Sequence, residues 1–286
     1  MKFSYNAQVL CEGALIPLYK KLKRNDTVNG TVELLDAHLR FHAGFENTFD
    51  LGTHRPAQHK YVENEKNWYL SMNRNIKGFP GIENNPTWCR IATEDGMVNS
   101  NYGWCVFSPE NGMNKKNQIN PCDPKNCCNP NNDNCLYDTS QYDFALKQLI
   151  DNPLGRQSII YYSRPQMQWE YNDGIHAKSD FTCTINTQHF IRKTADTDYL
   201  HYIVNMRSND AIFGLHCGDF PWHMYVYNKL LNDINKYRKN NNQSLVHAGE
   251  IFWNAASLHV YERHYKLLTN IAEEYLDWQK SEENDS

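Results

Sequence analysis

The segment from Asp180 to Tyr227 constrains this chain most, because it places three reactive side chains within about one supersecondary unit. Cys183 lies between two threonines before a strand-like run. Arg207-Ser208-Asn209-Asp210 follows, and Asp219 comes just before a helix expected from about Pro221. A thiol, a guanidinium group and a carboxyl group in this order predict a nucleophile beside an anion-binding site.

A buried structural thiol is the commonest fate of a strand cysteine. The polar sequence around Cys183 and the downstream Arg207 favour a nucleophile instead, since nearby positive charge stabilises a thiolate.

Composition narrows the possible partners. The chain has 286 residues and a net charge of −4, so we expect no broad nucleic-acid surface. No apolar run approaches the roughly 20 residues needed to cross a bilayer, and the N-terminus lacks a signal-peptide pattern. These features predict a cytoplasmic protein without a membrane association, in which the nine cysteines are reduced.

One stretch differs in composition from the rest. Asn111 to Tyr142 is rich in asparagine and carries four cysteines in a C-x4-C-C-x6-C pattern: Cys122, Cys127, Cys128 and Cys135. Four thiolates can bind zinc tetrahedrally, but the irregular spacing favours an exposed, poorly ordered insert without a metal. We therefore expect a single catalytic domain over residues 1–286, with an insert at about 111–142.

Hydrophobic periodicity predicts a mixture of helices and strands. Helices are expected at Tyr5–Leu22, Tyr61–Ile76, Tyr142–Asp151, from about Pro221, and through Trp278, and strands at Gly30–Phe41 and Gln157–Ser163. The polar C-terminal residues are expected to be frayed.

Two spacings suggest further site residues. Glu65, Trp68 and Tyr69 fall at i, i+3 and i+4 of a helix, so a carboxyl group shares a face with two aromatic rings and is expected to have a raised pKa. His259 and Tyr261 alternate on a strand, which places both side chains on one face of a sheet.

Several motifs resemble the thymidylate synthase family. Glu65 to Leu70 matches its E-x-x-W-aromatic-L helix, NSNYGW at Asn99–Trp104 its active-site Tyr-Gly, and IVNMRSNDAIFG its Arg-Ser-x-Asp strand. These motifs, with SLHVYERHY at Ser257–Tyr265, are most similar to the phage branch that hydroxymethylates deoxycytidylate. The resemblance covers most of the chain and is interrupted by the insert after Phe107.

This resemblance implies an α+β fold, with a large mixed β-sheet flanked by helices and a homodimer formed sheet to sheet. It implies that Cys183 is the nucleophile and Glu65 the general acid/base. The residues implied to bind the nucleotide are Arg207, Ser208, Asp219, His259, Tyr261, Arg156 and Tyr102. Those implied to bind the co-substrate 5,10-methylenetetrahydrofolate are Asp210, Gly214 and Trp88.

The chain departs from the family pattern at the phosphate site. The loop NDTVNG before the first strand lacks the family's arginine, for which Lys23 or Arg24 is an alternative. The family's tandem Arg-Arg, which reaches the partner's nucleotide, is Arg156-Gln157 here, with Arg164 nearby. The short apolar C-terminal tail of thymidylate synthases is also absent from the sequence.

Asp219 bears on the choice of base. Thymidylate synthases carry an asparagine near this position for uracil, whereas a carboxyl group accepts from the cytosine amino group and, when protonated, donates to N3. HCGD is one residue longer than the pattern it resembles, so Gly218 or Asp219 occupies the reading position; we take Asp219. Asp219 is also placed to cap the helix that opens at Pro221.

These features predict a deoxycytidylate 5-hydroxymethyltransferase that acts on dCMP for the synthesis of modified viral DNA. A deoxyuridylate hydroxymethylase and a divergent thymidylate synthase are close alternatives. A non-catalytic nucleotide-binding or scaffold protein of a replication complex is a further one. The resemblance also allows contacts with other viral nucleotide-synthesis proteins.

Overall fold

A computed structural model of the chain describes residues 3–45, 47–111, 139–168 and 180–284. Its helices are α1 (Tyr5–Leu10), α2 (Ile16–Lys23), α3 (His59–Leu70), α4 (Pro86–Ile91), α5 (Tyr102–Phe107), α6 (Gln141–Asp151), α7 (Phe220–Asn240) and α8 (Tyr265–Asn284). Two π-helical segments, Cys11–Leu15 and Ala211–Asp219, join α1 to α2 and precede α7.

Six strands form one mixed sheet: β1 (Thr31–His42), β2 (Ile159–Tyr161), β3 (Thr184–Thr194), β4 (Thr197–Met206), β5 (Asn209–Asp210) and β6 (Val246–Tyr261). Their order is β1-β6-β4-β3-β2, and β5 pairs with β6. The long β6 is antiparallel to β1 and parallel to both β4 and β5. Parallel pairing of β5 with β6 sets Asp210 opposite His259, so two predicted site residues meet at one end of the sheet.

The apolar face of the sheet packs against α7. Pro221 lies in the first turn of this helix, where its missing N–H costs no hydrogen bond. Four apolar residues at i+4 spacing form a buried ridge along α7: Trp222, Val226, Leu230 and Ile234. Burial of this ridge against the sheet fixes the segment that leads from Arg207 to Asp219.

A close contact between α3 and α5 depends on Gly103. A Cβ atom at this position would lie 1.7 Å from the backbone oxygen of Tyr69, so any other residue would force the helices apart. The close approach lets Tyr102 stack on Tyr69, with ring centroids 5.4 Å apart. Gly103 thereby places the Tyr102 hydroxyl beside the strand that carries Cys183.

The opposite face of the sheet carries a row of polar side chains across four strands. His38 Nδ1 lies 2.8 Å from Asn254 Oδ1, Asn254 donates to Asn205 over 3.0 Å, and Asn205 donates to Asn186 over 2.9 Å. Along β4 these outward positions are half-buried and alternate with fully buried ones. This face is therefore ordered by its own hydrogen bonds, and no helix of the described residues covers it.

Most element predictions are confirmed within one or two residues, and the structure corrects three. α3 ends at Leu70 rather than Ile76, because Met72 adopts a left-handed φ of 56°. β2 spans only Ile159–Tyr161. The C-terminal residues expected to be frayed continue α8 as far as Asn284.

Residues 112–138, which include the four insert cysteines, lie outside the described residues. Among the residues that are described, no cluster of side chains suits a metal ion. Within the same ranges, no helix is both long and apolar enough to span a bilayer.

Candidate active site

The predicted nucleophile and cation lie together where β3 begins and β4 ends. The Arg207 amide donates to the Cys183 carbonyl over 2.9 Å, and an Arg207 guanidinium nitrogen lies 4.0 Å from Cys183 Sγ. Arg207 also donates from Nε to Thr182 O and from Nη2 to Phe181 O. These two hydrogen bonds hold the backbone before Cys183. They also occupy guanidinium donors that a bidentate contact with a phosphate would use.

The pKa of Cys183 depends on more than the predicted charge of Arg207. Although the residue is partly exposed, burial of the thiol and then the nearby Asp219 carboxylate raise its pKa to about 12, and Arg207 lowers it less. Arg207 thus acts on the thiol in the predicted direction without offsetting burial, and the role of Cys183 as the nucleophile stays a prediction. Burial sums contributions from many neighbours and outweighs one guanidinium group at 4.0 Å.

Glu65 lies on the inward face of α3 with Trp68 and Tyr69, as predicted, and all three are buried. The Tyr61 hydroxyl donates to Glu65 Oε1 over 2.6 Å, and the Trp88 indole donates to Tyr61 over 3.2 Å. Burial, opposed by the Tyr61 hydrogen bond and reinforced by Asp219, raises the pKa of Glu65 to about 8. The carboxyl group is therefore mostly protonated at neutral pH, as the predicted raised pKa requires.

Trp88 is linked to Glu65 through the Tyr61 hydroxyl. It is buried, packs edge-on against Trp68 with ring centroids 4.8 Å apart, and orients Tyr61 through its indole N–H. These contacts make it a support for Glu65. Its contact with the folate co-substrate stays a prediction.

Asp219 is the last residue of the π-helical segment and makes no capping hydrogen bond to α7. Burial and then the charge of Asp210 raise its pKa, opposed by a hydrogen bond from Asn209, to about 7. The π-helical segment contains the HCGD sequence. Such turns are rare and frequently lie at functional sites. A Cβ atom at Gly218 would lie 3.3 Å from Glu65 Oε2, so this part of the backbone lies against Glu65. The choice of Asp219 over Gly218 as the residue that reads the base stays a prediction.

Tyr102 and the His259–Tyr261 pair complete the walls of the cleft. The Tyr102 hydroxyl accepts a hydrogen bond from the Thr184 amide over 3.2 Å. The His259 and Tyr261 rings touch edge to face at 4.8 Å, which confirms that they share a face of the sheet. Ser208 is partly exposed beside Arg207.

The two remaining folate-side predictions lie on the segment after β4. Asp210 accepts hydrogen bonds from the Ile212 and Phe213 amides and so caps the π-helical segment. Gly214 lies where a Cβ atom would be 3.0 Å from Asp219 Oδ2. Contacts of either residue with a co-substrate stay predictions.

Arg156 does not join this cluster. It is exposed, its carbonyl accepts from Gln188, and the carbonyl of Gly155 beside it accepts from Arg192. Gln188 and Arg192 lie five and nine residues beyond Cys183 on β3, which is roughly 17 to 30 Å along an extended strand. Arg156 therefore lies too far from Cys183 of its own chain to share a phosphate with Arg207.

Several residues around the cleft were missed from the sequence. Tyr61 lies one helical turn before Glu65, and that i, i+4 spacing was a usable signal. The Arg55 guanidinium lies 4.0 Å from the centroid of the Phe213 ring, which stacks on the His264 ring with centroids 4.2 Å apart. The guanidinium also contacts Cys217 Sγ at 3.1 Å. These residues come from separate elements, so no sequence spacing connects them.

Comparisons with known proteins identify the family of the chain. The family model described as thymidylate synthase matches residues 7–278. The deoxycytidylate 5-hydroxymethyltransferases of Enterobacteria phages T4 and T2 are each 36% identical over 210 residues, covering 73% of this chain and 70% of theirs. The thermostable thymidylate synthase A from Bacillus subtilis shares the fold with a TM-score of 0.51 and 21% identity, over 85% of this chain and 71% of that one. The chain therefore belongs to the thymidylate synthase family.

Proposed function

We propose that this protein transfers a one-carbon unit from 5,10-methylenetetrahydrofolate to C5 of dCMP and adds water, giving 5-hydroxymethyl-dCMP and tetrahydrofolate. The observation that carries the proposal is a partly buried carboxyl group, Asp219, close enough to Cys183 to raise the pKa of its thiol. The names of the phage relatives point to the same substrate and reaction.

Asp219 suits cytosine because its pKa of about 7 allows a neutral carboxylic acid under physiological conditions. In that form one oxygen donates to N3 of the base, and the other accepts from the N4 amino group. Uracil presents the opposite pattern at these two positions. A neutral Asp219 therefore favours cytosine.

Protonation of Asp219 also favours formation of the Cys183 thiolate. After burial, the negative charge of Asp219 is the largest cause of the raised pKa of Cys183. When a protonated Asp219 binds cytosine, this charge is absent, and Arg207 acts on the thiol without that opposition. Binding of the correct base is thus coupled to formation of the thiolate.

The chemical steps follow from these positions. The Cys183 thiolate adds to C6 of the base and makes C5 nucleophilic, so that C5 forms a bond to the methylene carbon supplied by the folate. Loss of the C5 proton and of tetrahydrofolate leaves an exocyclic methylene group, to which water adds as Cys183 departs. Glu65, with a pKa of about 8, exchanges protons with the base and with water during these steps.

The folate co-substrate fits the end of the cleft near Asp210. There Phe213 lies between the Arg55 guanidinium and the His264 ring, and Arg55 Nε is a buried donor with no partner among the described residues. An aromatic surface with an adjacent cation suits a flat ring system that carries carboxylates. We assign this surface, together with Asp210 and Gly214, to the co-substrate.

A second copy of the chain is part of this proposal. The polar row from His38 to Asn186 lies on a sheet face that no helix covers within the described part of the chain. Packing of this face against the same face of another copy gives a two-fold dimer. Arg156, which cannot reach its own cleft, would then serve the nucleotide phosphate bound by the partner.

The proposal is tested by mass spectrometry of the nucleotide after incubation with methylenetetrahydrofolate and either dCMP or dUMP. We expect dCMP alone to gain the mass of one CH2O unit, and no gain when the folate is omitted. A gain of CH2 on dUMP, accompanied by dihydrofolate absorbance, would instead identify a thymidylate synthase. No product from either nucleotide, with binding of both retained, would favour the non-catalytic alternative.

A further inference from the structure

Asp219 is the last of three residues in a largely buried series of hydrogen bonds that the proposed reaction does not use. The indole N–H of Trp253 donates to Asn209 Oδ1 over 3.1 Å, and Asn209 Nδ2 donates to Asp219 Oδ2 over 2.7 Å. Trp253 and Asn209 are both buried, on β6 and β5. Three side chains from separate elements thus form one directed series that ends in the cleft.

The direction of this series is fixed by Trp253. An indole N–H only donates, so it selects the orientation of the Asn209 amide in which the oxygen faces Trp253. The amide nitrogen must then face Asp219. Rotating the amide by half a turn would set two donors against each other at Trp253 and two acceptors at Asp219, each of which leaves a buried polar group unpaired.

This orientation also selects the oxygen of Asp219 that carries a proton. Oδ2 accepts from Asn209, and an unprotonated carboxyl oxygen accepts better than a hydroxyl oxygen does. The proton of the neutral acid is therefore held on Oδ1. Cytosine fits this arrangement, because Oδ1 donates to N3 while the second lone pair of Oδ2 accepts from the N4 amino group.

Uracil requires the opposite arrangement. Its N3–H must be accepted, and its O4 needs a donor, so the proton of Asp219 would have to move to Oδ2. There it competes with the hydrogen bond from Asn209. Discrimination between the bases then depends on Asn209 as well as on the carboxyl group.

The packing around Gly214 provides an independent observation. A Cβ atom at Gly214 would lie 3.0 Å from Asn209 Nδ2 and 3.0 Å from Asp219 Oδ2, the two atoms of this hydrogen bond. A side chain there would press on both partners. The glycine leaves the space that this bond needs.

We propose that Asn209, oriented by Trp253, is a positioning residue that sets the proton arrangement of Asp219 and thereby the preference for cytosine over uracil. This inference rests on the proposed function. Asn209 acts through Asp219 rather than by touching the base, so its loss should change the choice of base more than it changes the chemical step.

The test compares Asn209→Ala, Trp253→Phe and Gly214→Ala with wild type. For each protein, kcat/KM is measured with dCMP and with dUMP, and binding of each nucleotide is measured by calorimetry. We expect Asn209→Ala to lower the preference for dCMP over dUMP by roughly 10-fold or more, since a buried polar contact then lacks its partner. Trp253→Phe and Gly214→Ala should change the preference in the same direction, by less.

The matched control is Asn235→Ala on α7. This substitution also removes two partly buried hydrogen bonds, both to the backbone of Val246. We expect it to leave the preference unchanged. The double variant Asn209→Ala/Trp253→Phe should be no less selective than Asn209→Ala, because the tryptophan acts through the amide. If Asn209→Ala does not fold, the other two variants still report on the hydrogen bond.

Two outcomes separate this inference from the function on which it rests. A wild-type protein that turns over dUMP and not dCMP contradicts both. A wild-type protein that prefers dCMP, with that preference kept in the Asn209, Trp253 and Gly214 variants, contradicts the role of Asn209 alone. An equal loss of activity on both bases would mean that Asn209 only supports the fold.

Discussion

The cleft has one end proposed for the base and one proposed for the nucleotide phosphate. The two ends differ in how many of their proposed site residues a single chain supplies. At the base end, Glu65 and Tyr102 are buried, and Cys183 and Asp219 are partly buried beside them. At the phosphate end, Arg207 is the predicted cation, and two of its guanidinium nitrogens donate to backbone carbonyls. The groups proposed for the base end are therefore positioned by packing within one chain, whereas the proposed phosphate contact needs a second chain.

The difference follows from the register of β2 on β3. The carbonyls of Arg156 and Ser158 accept hydrogen bonds from Gln188 and His189 in the middle of β3, so Arg156 lies well away from Cys183. A base-reading site needs fixed distances of about 3 Å, which a core provides. A contact between an exposed arginine and a phosphate needs less strict geometry, so the arginine can come from a second subunit.

The largest expected effect is at the base end. Replacement of Cys183 by alanine removes the nucleophile, and we expect turnover of dCMP to fall by at least about three orders of magnitude. Binding of dCMP, measured by calorimetry, should change little, because Arg207 and Asp219 remain. Turnover at a tenth of the wild-type rate would show that the reaction does not proceed through this thiol.

Asp219→Asn should exchange the base preference. An amide at this position suits uracil, so we expect kcat/KM for dCMP to fall by roughly 100-fold or more and that for dUMP to rise. The measurement is the ratio of the two values at one pH. An unchanged ratio would mean that another group reads the base, and that the base end is less complete than the structure indicates.

The phosphate end is tested with mixed chains. Arg156→Ala alone should lower turnover by roughly 10- to 100-fold, since a charge-assisted phosphate contact is lost. When it is mixed with inactive Cys183→Ala chains and allowed to exchange subunits, a mixed dimer contains one site with both Cys183 and a partner arginine. We expect about a quarter of wild-type activity from a random one-to-one mixture of two-fold dimers.

Failure of the mixture to regain activity, with subunit exchange shown by light scattering or a labelled chain, would place Arg156 outside the site. A mixture of Asp219→Asn and Cys183→Ala chains is the control. Both residues belong to the base end, so each mixed dimer lacks a site with both and no activity on dCMP should return.

The sequence predicted the parts of this site that lie on a single element. Helical spacing placed Glu65 with Trp68 and Tyr69, and strand alternation placed His259 with Tyr261, since each periodicity is a property of local backbone geometry. These shared faces depend on local backbone geometry and not on tertiary packing, and they were confirmed for that reason.

Contacts between elements could not be predicted in this way. The bond from Trp253 to Asn209 joins residues 44 positions apart and depends on the pairing of β5 with β6. The pKa of Cys183 depends on burial by many neighbours, whereas the sequence showed only the nearby Arg207, which lowers that pKa by less than burial raises it. Arg55 lies in a loop and reaches the cleft through tertiary packing alone.

The smallest expected effect concerns the stability of the base end. The folded protein holds a proton on Glu65 up to a pKa of about 8, while an unfolded chain loses it near the ordinary value of 4.5. Between these values the folded state binds more protons than the unfolded state, so the free energy of unfolding falls as pH rises. Glu65→Gln removes this dependence, and its stability relative to wild type should therefore increase from pH 5 to pH 8 by more than about 1 kcal/mol.

The control for this measurement is Glu63→Gln, on the exposed face of the same helix, where Lys66 lowers the pKa of the carboxyl group. Its stability relative to wild type should stay constant across the same pH range, because both the folded and the unfolded state have lost this proton above pH 5. Chemical unfolding at pH 5 and pH 8 distinguishes the two variants. Equal pH dependence would mean that Glu65 is ionised in the folded protein, and the base end would then hold its proton on Asp219 alone.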